Sequence, residues 1–152
     1  MEIKFHPTQD QEKGQSMVEF SMGLIVLLWL LVGTIDFGWA FFTMVTLQDA
    51  AQEGAAYAAI CPADTAGIEA RLRASASQPI DLSTLTVDQI DICVMYPGSE
   101  TCGAPLQIGN NVRVTVTFPH QVITPGLGTV LDSQQYDLTV DATDTILRTN
   151  CP

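Results

Sequence analysis

The sequence predicts an α+β fold: one long, membrane-spanning N-terminal helix packed on a small antiparallel sheet of about three strands, in the outline of a lollipop. Three observations predict it. An apolar run extends from Met17 to Leu47 with Glu19 and Asp36 as its only charges. Period-two alternation of β-branched residues recurs in three later stretches. Clusters of turn-forming residues separate those stretches.

A spanning helix needs about 20 mostly apolar residues, and the run supplies them. A buried core helix would have to be enclosed on all sides, which a domain built from the remaining ~90 residues is too small to do. A cleaved secretory signal needs a basic start and a small-x-small site close behind a short apolar stretch. Here the leader "MEIKFHPTQDQEKG" is polar and mixed in charge, and the nearest such site, Ala56-Tyr57-Ala58, comes far too late. That leaves an anchor. Lys4 and Lys13 precede the span, and the next basic residue is Arg71, so the positive-inside rule puts the N-terminus in the cytoplasm. The division read from this is a cytoplasmic leader over 1–14, a long helix over 15–60 with its membrane segment at about 17–40, and an extracytoplasmic α+β domain over 61–152. The helix itself is expected from about Met17 to Ile60, some 65 Å at about 1.5 Å per residue, with Pro62 beyond its end.

The doorway of the run carries Gly14, then four residues, then Glu19. This spacing resembles the type IV pilin leader, which is cut after glycine and carries glutamate at position five of the mature chain. The cut would fall between Gly14 and Gln15. The Gln15 α-ammonium and the Glu19 carboxylate would then lie one helical turn apart, within reach of each other or of a neighbouring subunit. The bland reading is a glutamate at headgroup level. Asp36 also has two readings. It stands about 32 Å along the helix from Gln15 at about 1.5 Å per residue, which is near the far interface. Alternatively it meets a partner helix within the membrane.

Three pieces in order, "GQSMVEF", "GTIDFG" and "LQDAAQEGAAYAA", resemble the TadE-like family of minor pseudopilins from tight-adherence (Flp) pilus systems. They cover about the first 60 residues. Two departures stand out: Asp36 replaces the usual glutamate of the middle piece, and Gln52 stands where a basic residue often precedes "EGA". The resemblance implies a membrane-anchored minor pseudopilin for assembly of a Flp pilus, with Glu19 and Asp36 as assembly residues. It implies as partners the membrane, a prepilin peptidase, and other pilins or pseudopilins with their assembly machinery. It also implies a place in the cytoplasmic membrane or a surface pilus. The alternative is an unprocessed single-pass protein whose outer domain binds a ligand or an envelope partner.

Beyond the membrane, Ala50, Gly54 and Ala58 recur every four residues, and Ala51, Ala55 and Ala59 make a parallel row. Such faces let a second element approach closely. Either the protein's own sheet or a neighbouring helix in a filament can occupy them. Next, "ADTAGIEARLRASA" places Ile68, Leu72 and Ala76 on one face of a short second helix, capped by Asp64 or Thr65 and closed by Pro79. The strands follow: "TVDQIDICVMY" with Val87, Ile90 and Ile92 inward, "NVRVTVTF" with Val112, Val114, Val116 and Phe118 inward, and "YDLTVDATDTILR". The connection "PGSETCGAP" is a turn region, and "PGLGTVLDS" is read as a helical turn.

All four cysteines lie after the apolar run, and their even number fits an oxidising compartment. Four cysteines allow three pairings. The pairing preferred here is Cys93–Cys102 across the turn-rich connection, with Cys61–Cys151 tying the top of the helix to the chain end.

The net charge of −11 and the absence of a basic stripe argue against nucleic acid as a partner. No Gly-rich phosphate loop with its lysine, no nucleophile elbow, and no Cys/His set at zinc-ligand spacing occurs. "DATDT" lacks the glycine and distal glutamate of a calcium loop. The reading is therefore no catalytic residues, no metal and no cofactor: a substrate of an enzyme rather than an enzyme.

Overall fold

A computed structural model describes residues 10–75, 80–124 and 133–151, with side chains from Gly14 onward. Helix α1 is Asp10–Ile60 and helix α2 is Thr65–Ala74. Strands β1 (Ile90–Met95), β2 (Asn111–Gln121) and β3 (Gln135–Thr145) form one antiparallel sheet in the order β1-β2-β3. The fold is the expected one, a long helix on a three-stranded sheet. Helix α1 begins earlier than the apolar pattern alone indicates, because the polar residues before Met17 continue the helix without a proline to stop it.

The sheet lies lengthwise along the outer half of α1. Its inner face is built in cross-strand rows: Ile90, Val116 and Val140 in one, Ile92, Val114 and Ala142 in the next. The helix meets these rows with Leu47, Ala50, Ala51, Ala55 and Ala58, and α2 adds Ile68 and Leu72. The core therefore takes side chains from the helix as well as from the sheet. The lengths match. From Asp36 to Ala59 the helix advances about 35 Å, and eleven-residue β3 extends about 33 Å.

Asp64 caps α2 by accepting the Gly67 N–H at 3.0 Å. The helix ends at Ala74; Ala76 and Pro79 lie outside the described residues, as does nearly all of the expected turn "PGLGTVLDS". Val87 departs from its expected inward place. Residues Val87–Gln89 form a 3₁₀ turn, closed by a reciprocal Thr86–Gln89 capping box, and Val87 is 63% exposed. Period-two reading through Val87 fails because the strand begins only at Ile90.

Candidate functional site

The functional features run along α1 from bottom to top. At the bottom the helix is bare. Every large apolar side chain from Met17 to Leu31 is at least 44% exposed, and they point in all directions. None of the rest of the chain covers this stretch among the described residues. A helix apolar on every side needs lipid or other helices around it.

Gly14, Gln15 and Glu19 lie on this bare part, exposed and helical. The Glu19 carboxylate is exposed and has no ion-pair partner among the described residues.

Asp36 is different. It is buried, and its carboxylate is caged by the end of the sheet. One oxygen accepts the Ile123 N–H at 3.1 Å; the other accepts the Thr124 N–H at 2.6 Å and the Thr124 hydroxyl. Within the chain, the partner of Asp36 is the segment just past the end of β2. Asp36 starts the stripe that continues through buried Thr43, Leu47, Ala50, Gly54 and Ala58, so the helix face that packs on the sheet begins with this carboxylate. Nearby, buried His120 packs on Tyr136, ring centroids 5.2 Å apart, in register across β2 and β3. A recess of about 600 Å³ lined by Gly33, Phe37, Ala40, Val122 and Gln135 opens beside this cluster.

Higher up, both small-residue rows are buried within the chain. A Cβ built on Gly54 would meet Val114 Cγ1 at 3.4 Å and Leu72 Cδ1 at 3.5 Å, so helix, sheet and α2 all close on this glycine. The occupant of the rows is the protein's own domain. Glu53, left without a basic neighbour by Gln52, has Arg71 of α2 at 3.6 Å. Both side chains are largely exposed, so the pair adds little stability.

At the top, the chain end closes the helix. Leu147 N–H and Arg148 N–H both donate to the Ala59 carbonyl, at 2.8 and 3.3 Å, satisfying an acceptor that the last helical turn leaves open. Cys61 lies against Cys151 with Cα atoms 4.8 Å apart, and Cys93 against Cys102 at 5.4 Å; both separations suit a disulfide. Gly103 returns this second loop to the sheet. Its N–H donates to the Val94 carbonyl at 2.9 Å with φ +115°, a conformation that favours glycine.

A family model described as TadE-like protein matches residues 14–56. This segment is similar to TadE-like proteins. The match opens on Gly14 and includes Glu19, Asp36 and the first members of both small-residue rows, so the matched segment holds the bare helix, the caged carboxylate and part of the packed face. The sheet and α2 lie outside it. No curated protein and no solved structure matches the chain. Among the described residues, no three His, Cys, Asp or Glu side chains are grouped as metal ligands would be. The signal in the sequence for the Asp36 cage was the acid itself. Two of its three donors are the backbone N–H groups of Ile123 and Thr124, which leave no trace in residue type; the third is the Thr124 hydroxyl, 88 positions away in sequence.

Proposed function

We propose that the chain is a membrane-anchored, Tad pilus-associated protein, and more specifically a minor pseudopilin that a prepilin peptidase processes between Gly14 and Gln15. The observation that carries this reading is the exposed Glu19 on a bare apolar helix whose residues 14–56 match the TadE-like family model. Once cut, the chain presents the Gln15 ammonium one turn from Glu19. An exposed carboxylate near the end of an otherwise apolar helix favours pairing with that ammonium, in the same subunit or the next, over remaining unpaired in an apolar assembly.

In this reading the span is Met17 to Ile35, about 28 Å at about 1.5 Å per residue. This ends short of residue 40, because the sheet packs on the helix from Asp36 upward. The N-terminus lies in the cytoplasm and the sheet outside, where both cysteine pairs are oxidised. Gly14 eases the unwinding a peptidase needs, since glycine costs a helix about 1 kcal/mol relative to alanine.

The test is the intact mass of the protein purified from its native membrane, before and after reduction and alkylation. The expected product lacks Met1–Gly14 and has four oxidised cysteines. An intact leader, in cells that cleave a sister pilin, would overturn the pseudopilin reading and favour an unprocessed single-pass protein with a partner-binding outer domain. Glu19→Ala is then expected to preserve folding and cleavage while reducing incorporation into the assembly.

A further inference from the structure

We propose that the lower end of the sheet is a membrane-contacting foot: the segment Val122–Thr124 rests in the outer interface of the same bilayer that α1 spans. The inference rests on α1 being a membrane span, and it adds a second, lateral contact between the outer domain and lipid.

Three observations carry it. First, the cage fixes the foot's height. The Ile123 and Thr124 N–H groups bond directly to Asp36, so this segment lies within a hydrogen bond of the helix turn where α1 ceases to be bare on every side. Phe37 and Trp39, both exposed, stand within one turn of that level, and aromatic side chains favour the headgroup zone. Second, Ile123 is 70% exposed at this height although its neighbour Thr124 is buried. In water that exposure is unfavourable; at an interface it contributes apolar contact. Third, the foot lacks the acidity of the rest of the domain. Among the described residues at this end, 119–124 and 133–136 hold no lysine, arginine, aspartate or glutamate, although the chain as a whole carries 17 Asp and Glu. Of the described residues, the next carboxylate up β3 is Asp137, opposite Pro119. A domain of net negative charge is repelled by anionic headgroups, and the end whose described sheet residues carry no acid is the one that can lie against them.

The Asp36 cage fits this placement. A carboxylate at the edge of a hydrocarbon layer cannot rely on water, and three protein donors take water's place. The foot is thereby held by the helix, and the sheet stands on the membrane with its long axis along α1.

The experiment uses the full chain reconstituted in vesicles of phosphatidylcholine and phosphatidylglycerol, with lipids brominated near the top or near the end of the acyl chain as quenchers. Three single-tryptophan variants are compared. Trp39→Phe leaves Trp29 as the span reporter. Trp29→Phe/Trp39→Phe with Ile123→Trp reports the foot. The same double variant with Ile108→Trp reports the far end of the sheet, where Ile108 is 69% exposed. The expected result is that the indole at position 123 loses most of its emission to shallow bromines and little to deep ones, while the indole at position 108 is unaffected. Deep quenching of Trp29 with position 123 as unquenched as position 108 would overturn the foot and leave the span intact. An unquenched Trp29 would overturn the span, and the foot with it.

Discussion

The Asp36 carboxylate and the Thr124 backbone N–H are 2.6 Å apart across 88 positions of sequence. This contact sets where the bare helix ends and the packed domain begins. Asp36→Ala would leave the N–H groups of Ile123 and Thr124 without their acceptor, at a cost of about 1–3 kcal/mol per unsatisfied buried group. Thr124→Val removes only the hydroxyl and is expected to cost about 1 kcal/mol. Chemical unfolding in detergent, monitored by tryptophan emission, would show that order; equal losses would mean that the backbone donors contribute nothing.

Gly54 separates packing within the chain from packing between subunits. Gly54→Ala places a methyl group in ordinary contact with Val114 and Leu72 and gains helix propensity of about 1 kcal/mol, so stability is expected to change by less than that amount. Gly54→Leu has no room between α1, α2 and β2, and overpacking is expected to cost about 1–3 kcal/mol or more. Thermal melts of the two variants test this. A stable Gly54→Leu protein would show that the helix leaves the sheet more readily than its closed packing implies.

The two cysteine pairs differ in what they close. On the chain-entropy account, a bridge spanning 90 positions adds about 4–5 kcal/mol and one spanning 9 adds about 2–3 kcal/mol. Cys61→Ser/Cys151→Ser is therefore expected to lower Tm further than Cys93→Ser/Cys102→Ser. The Leu147 and Arg148 hydrogen bonds to Ala59 hold the chain end near α1 in either case, so the first variant still folds under mild conditions.

Tyr57 gives a pH-dependent signature. Its hydroxyl donates to Asp64 Oδ2 at 3.0 Å, and this hydrogen bond, ahead of desolvation, raises the phenol above the ordinary tyrosine value, with Arg71 opposing. The folded state therefore holds the proton more tightly than the unfolded chain. This contribution is complete below the ordinary tyrosine pKa and is lost as pH rises through the raised one. A titration of phenolate absorbance should show a late-ionising component that Tyr57→Phe loses, while Tyr136, raised by burial and by Asp36, ionises late in both proteins. Loss of that late component in Asp64→Asn would assign it to this pair.

Gly67 tests the same corner sterically. A Cβ there would collide with Asp64 Oδ2 and fall 2.8 Å from Tyr57 Cε1, so Gly67→Ala must displace the cap. The expected loss is at least the ~1 kcal/mol of a helix N-cap, read as a lower urea midpoint. An unchanged midpoint would show that the Asp64 cap does not stabilise α2.

The sequence by itself determined the elements whose signal is local. The apolar run could be only a long helix, and the alternation of Val112, Val114 and Val116 only a half-buried strand. Small residues every four positions announced a close-packed face. Tertiary structure decided what each face meets. It turned both small-residue rows onto the protein's own domain, gave Glu53 a partner in Arg71, left Val87 in a 3₁₀ turn outside the core, and enclosed Asp36 with the segment just past the end of β2. Periodicity records which side of an element is apolar because each side chain carries that information itself. It cannot record a carboxylate's partners when those are backbone N–H groups, which almost every residue possesses and which only the path of the folded chain brings into range.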